Sequence, residues 1–142
     1  ADRFFGVRDL PTEIELGEVP AGWRTLYENT LGELELSIFL TEHLGWAADT
    51  AAVGWDGDRF RMLEGPSGER ALVWYSVWDD TASADAFAES YRRILEVRPD
   101  RRGRVRRMEV RGRPVVLVVD AEAGVELDSV PVPEILALEE RA

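Results

Sequence analysis

The sequence predicts an α+β domain: an antiparallel sheet of about four strands, made of two hairpins joined by a helical crossover and packed with helices. Three observations predict it. Residues 70–78 alternate Ala71, Val73, Tyr75 and Val77 with Leu72, Trp74, Ser76 and Trp78, so both faces are apolar and the segment reads as a central strand covered on both sides. Two strand pairs are each closed by turn-forming residues, Gly65-Pro66-Ser67-Gly68 in the first and Gly112-Arg113 in the second. Between the hairpins, Ala84, Phe87, Ala88, Tyr91, Ile94 and Leu95 recur at three-and-four spacing, the period of an amphipathic helix.

Length and composition bound the rest. A chain of 142 residues suits a single domain, here with an extended N-terminal arm over about residues 1–22 and an acidic tail over about residues 121–142. Its first residues lack a signal-peptide pattern, and the missing initiator methionine suggests a processed chain or a piece of something longer. No apolar run is long enough for a membrane span. The absence of cysteine removes disulfides, thiolate metal sites and thiol nucleophiles together. Lysine is absent too, so all 17 cationic side chains are arginine, against 28 acidic ones and a net charge of −11. Codon bias explains the missing lysine; the acidity also fits adaptation to salt or heat. Ten arginines between Arg92 and Arg113 face only Glu96, Asp100 and Glu109, a local balance of +7 that leaves −18 elsewhere. Such a stripe is either a face for acidic polymers or a solvated hairpin whose arginines pair with the domain's own carboxylates.

Taken in order, residues 1–22 are punctuated by Pro11, Gly17, Pro20 and Gly22, with Glu13–Leu16 alternating as a short edge strand or an arm on the body. Trp23, Leu26 and Tyr27 suggest a turn packed on the core. Thr30 with Glu33 forms a capping-box pattern, and Leu31, Leu34, Leu36, Ile38, Leu40 and Leu44 give a helix ending at Gly45. His43, the sole histidine, sits near that helix end without a second histidine or a cysteine to share a metal. Ala47–Val53 reads as a short helix. The Trp55-Asp56-Gly57-Asp58-Arg59 loop has the Asp-Gly-Asp start of a calcium loop but lacks the following ligands. Arg59 is expected to pair with Asp58 or Asp79. The strands 60–63 and 70–78 follow, then Asp79, Asp80, Thr81 and Ser83 as sources of capping oxygens for the helix over residues 82–97. Arg104–Arg111 reads as an arginine-studded edge strand and Val115–Val119 as a buried one. Pro133–Glu140 reads as a short C-terminal helix.

No nucleophile–base pair and no ligand cluster emerges, so no cofactor, metal or catalytic residue is assigned, and the chain leans toward a non-catalytic role. The candidate ligand or partner contacts are Trp55, Asp56, Asp58, Arg59, Trp74, Trp78 and Asp79, with Arg104, Arg106 and Arg107. Aromatic rings beside a few carboxylates and a guanidinium are what a small-molecule pocket uses. The alternative to an accessory module is therefore a small-molecule-binding or enzymatic domain whose pocket is lined by Trp55, Trp74, Tyr75, Trp78 and Tyr91. A third reading is polyanion binding through Arg92–Arg113, with nucleic acid not favoured.

Several stretches carry a resemblance: Leu31-Gly32-Glu33-Leu34, Ala51-Ala52-Val53-Gly54-Trp55-Asp56-Gly57-Asp58-Arg59, Leu72-Val73-Trp74, Val77-Trp78-Asp79 and Asp85-Ala86-Phe87. Over about residues 20–120 the chain resembles the C-terminal region of large exported bacterial and archaeal proteins, haloarchaeal surface proteins among them. In that family the upstream region is similar to zinc-dependent peptidases. The resemblance implies an extracytoplasmic accessory domain with an upstream domain as partner, and a sheet-mediated homodimer stays open. The peptidase helix has no counterpart here, so no activity carries over to any residue.

Overall fold

The computed structural model describes residues 10–32 and 54–141. These hold seven strands and one α-helix: β1 Leu10–Leu16, β2 Arg24–Asn29, β3 Trp55–Glu64, β4 Arg70–Trp78, α1 Thr81–Glu96, β5 Arg101–Val110, β6 Arg113–Glu122 and β7 Ile135–Arg141, with a 3-10 turn at Leu127–Ser129. Five strands form one antiparallel sheet in the order β2-β3-β4-β6-β5, and β1 pairs with β7 in a separate two-stranded ribbon. The α+β packing of about four strands with several helices is thereby corrected to a mostly β architecture. The helices expected at 30–45 and 47–53, and His43 with them, lie outside the described residues except for Thr30–Gly32, which carry no regular secondary structure.

Two further expectations change. Pro133–Glu140, rich in the helix formers Ala, Leu and Glu, contains strand β7 instead, because pairing with β1 satisfies its backbone and covers Ile14 and Leu16. Trp23, Leu26 and Tyr27 are not a turn: residues 24–29 are an edge strand on β3. The arm and the tail therefore meet to make the ribbon.

The five-stranded sheet is covered on both faces, as the two-sided apolar pattern of β4 requires. On one face Trp74, Trp78, Val116 and Val118 meet Ala84, Phe87, Ala88, Tyr91 and Ile94 of α1. The rings interlock: Trp78 stacks on Phe87 at 5.0 Å between centroids, and Trp74 meets Phe87 edge-on at 5.5 Å. On the other face Leu63, Val73, Tyr75, Val77, Val115, Leu117 and Val119 pack under Ile14, Leu16 and Val130. Asp80, rather than Asp79, caps α1, accepting from the Ser83 N–H at 2.7 Å.

Close approach explains one glycine. A Cβ on Gly57 would overlap the backbone carbonyl oxygen of Thr12, so β1 can lie against β3 only with hydrogen at that position. Gly57→Ala is expected to push the ribbon off the sheet at a cost of about 1–3 kcal/mol, the range for overpacking. Thermal unfolding reads this as a melting point several degrees lower, and an unchanged one would show that β1 yields freely.

Candidate functional site

The residues singled out around Trp55–Arg59, a stretch that is the first half of strand β3 and not a loop, do not form one site. Adjacent strand residues point to opposite faces, so Asp58 and Arg59 part company. Asp58 turns toward α1 and is 1% exposed. Its carboxylate accepts from the backbone N–H groups of Leu31 (2.7 Å) and Gly32 (2.9 Å) and from the Trp74 indole Nε1 (3.0 Å). Burial pushes its pKa above the ordinary aspartate range, although these donors and the Trp55 indole favour the anion. Arg59 turns toward the ribbon and pairs at 2.6 Å with Glu28, not with Asp58 or Asp79. Arg61 takes the other oxygen of Glu28, also at 2.6 Å, and donates to the carbonyls of Leu16 and Gly17.

Asp56 accepts from the Thr12 hydroxyl at 2.6 Å and from the Arg113 guanidinium, which ties β1, β3 and the start of β6 together. Trp55, Trp74 and Trp78 are core residues, 6%, 4% and 0% exposed. The five rings expected around one pocket are split, because Tyr75 faces the ribbon while the tryptophans and Tyr91 face α1. Asp79 donates its backbone N–H to the Gly54 carbonyl at 2.7 Å. Among the described residues no group of three or more His, Cys, Asp or Glu side chains is arranged to hold a metal ion.

Glu28 offers a pH test. Burial opposes its ionisation, but hydrogen bonds and charge from Arg59 and Arg61 outweigh that and hold the carboxyl below the ordinary glutamate range. A carboxylate whose folded pKa lies below its unfolded value contributes stability that is complete above the unfolded pKa and is lost as pH falls through the folded one. Glu28→Gln should therefore cost stability at neutral pH and progressively less in acid. Urea midpoints across the carboxylate range check this, and a gap that stays constant into acid would refute it.

The arginine stripe is largely spent within the domain. Arg101 and Arg98 lie 2.8 Å and 3.8 Å from Asp120, Arg104 is 2.6 Å from Asp128, and Arg107 is 2.6 Å from Asp85. What remains concentrates on β5, the outer strand of the sheet. Arg102, Arg104 and Arg106 occupy alternate positions and share its ribbon-side face. Arg104 and Arg106 line a crevice of about 370 Å³, floored by Tyr75, Leu117 and Val119 and walled by Met108, Val130 and Val132. Asp128 stands at its rim, with 86% of its side chain exposed, and Arg104 holds its carboxyl below the ordinary aspartate range. Tyr75 closes one end by donating its hydroxyl to the Pro133 carbonyl at 2.9 Å.

Arg104 and Arg106 were thus legible as residues of a charged strand, whereas the acid partners Glu28, Asp120 and Asp128 and the tether Thr12–Asp56–Arg113 were not. Those partners lie 24–57 residues from the arginines or aspartates they meet, with Asp120 the exception at 19 from Arg101. No described helix is long and apolar enough to cross a membrane. In comparisons with known proteins, a family model described as Domain of unknown function (DUF8575) matches residues 21–130. No curated protein and no solved structure matched.

Proposed function

The chain belongs to the DUF8575 family, and from that premise we propose that it is a non-catalytic interaction module whose working surface is the β5 edge and the crevice beside it. One observation carries the reading: the division of polar groups between interior and edge. The buried carboxylates of Asp56, Asp58 and Asp120 are each engaged by donors of the same chain, as a structural role demands. The cationic edge, in contrast, stands at the surface beside a crevice lined by both charged and apolar side chains, and that combination suits recognition of a partner. The sequence resemblance adds a proposed setting, an accessory domain outside the cytoplasm that contacts an upstream domain of the same protein.

Hydrogen–deuterium exchange tests it, comparing residues 1–142 alone with the same residues inside the complete gene product. Slower exchange in the complete product, confined to residues 101–110 and 127–132, is the expected result. Equal exchange there, or turnover of any substrate that is lost on Asp58→Asn without loss of folding, would overturn the proposal.

A further inference from the structure

Resting on the reading of β5 as the working edge, we infer that its partner is an extended acidic polypeptide segment, added to the sheet as a sixth strand antiparallel or parallel to β5. The argument begins with the phase of the hydrogen bonds. The Ala123 N–H donates to the Asp100 carbonyl at 2.9 Å, which makes Asp100 and Ala123 a bonded pair. The β5–β6 register runs without a shift from Arg101–Glu122 to Val110–Arg113. Counting by two along it, Arg102, Arg104, Arg106, Met108 and Val110 turn their backbone groups toward β6. The N–H and C=O of Gly103, Val105, Arg107 and Glu109 therefore point outward, where among the described residues no strand pairs with them. The Arg92 guanidinium contact to the Val105 carbonyl, at 3.4 Å, has the direction this phase requires.

Side chains then say what kind of strand fits. Arg102, Arg104 and Arg106 stand at every second position on one face, so an incoming strand meets three cations in a row there. A second copy of β5 would set arginine against arginine, and like charges directly opposite are unfavourable. A strand with acids at every second position is complementary instead. On the other face Gly103 and Val105 alternate with those arginines; Leu95 packs close above Gly103, within 2.6 Å of where a Cβ would sit. That face suits apolar side chains between the acids. Asp128 already places one carboxylate on Arg104 at 2.6 Å, so the domain supplies its own stand-in for a partner acid. Main-chain bonds would supply affinity and the arginine ladder selectivity, the general logic of strand addition.

The probe is a fluorescein-labelled peptide alternating glutamate and valine, matched to the ten residues of β5, titrated with the full chain at low salt. Anisotropy should report binding that weakens as salt is added. N-methylation of the peptide at alternate residues, which removes donors without changing charge, should weaken binding about tenfold or more when it falls on the pairing edge. Arg106→Glu should weaken it about tenfold, while Asp128→Asn, which frees Arg104, should strengthen it about threefold. Both positions are exposed, so neither change threatens the core. The inference is overturned if the peptide does not bind, if both N-methylated phases bind as well as the parent, or if Asp128→Asn leaves affinity unchanged. It is also overturned if a single-stranded oligonucleotide of equal charge binds as tightly. Protection of β5 in the complete gene product without peptide binding would sink the acidic strand and leave the working edge standing.

Discussion

Asp58→Ala is expected to lower the unfolding free energy by about 3–5 kcal/mol, because it strands several donors at once. The Trp74 indole N–H loses a buried acceptor, and the Leu31 and Gly32 N–H groups lose the carboxylate that holds their loop on the sheet. The indole sits on the buried face it shares with Phe87 and Tyr91, so much of the penalty falls there. Urea unfolding measures the loss, and the Trp74 indole resonance should move in the same variant. A change below about 1 kcal/mol would mean that water replaces the carboxylate at little cost.

The pH dependence of Asp58 should run opposite to that of Glu28. With a folded pKa raised by burial, Asp58 binds its proton more tightly in the folded state than in the unfolded one. The stability linked to that proton is fully present below the unfolded pKa and is lost as pH rises through the folded pKa. The difference between the wild-type chain and Asp58→Asn should therefore widen in acid, whereas the difference for Glu28→Gln narrows. Two carboxylates on the same pair of strands would then be told apart by the sign of one curve.

These pairings mark where local sequence stops being informative. Strand β4 was legible because its alternation is complete within nine residues, and α1 because its apolar stripe and Asp80 cap are local. The edge position of β5 was legible in its arginines. Strand β7 was not, since Pro133–Glu140 favours helix by propensity and only β1, more than a hundred residues away, decides otherwise. The Arg59–Glu28 pair was half legible: alternation already argues against Asp58 as the partner, but nothing local names Glu28. The outward backbone groups of β5 depend on hydrogen-bond phase, which residue types do not encode. The candidate working edge was therefore visible as charge and invisible as a template for pairing.

Asp120→Ala is the second large effect, and it reaches that edge. Asp120, 2% exposed on β6, accepts from the Tyr91 hydroxyl of α1 at 2.7 Å and from Arg101 Nε at 2.8 Å, with Arg98 3.8 Å away. One carboxylate thus joins the helix, the turn after it and the first residue of β5. Removing one member of a buried charged pair costs about 3–5 kcal/mol, since the groups left behind stay desolvated. Arg98 and Arg101 keep 29% and 21% of their side-chain surface exposed and can recover water, so the buried Tyr91 hydroxyl bears the sharper loss. At roughly 3 °C per kcal/mol for a chain of this size, the melting point should fall by about 10–15 °C. Tyr91→Phe in the same background should add little, because the Asp120 acceptor is already gone, and a double-mutant cycle would give a coupling of about 1–2 kcal/mol. Additive losses would show that Tyr91 and Asp120 act separately. Releasing Arg101 also frees the start of β5, so the acidic peptide should bind Asp120→Ala less tightly than it binds the wild-type chain, even at temperatures well below the new midpoint. Undiminished binding there would show that the edge is held by β6 alone.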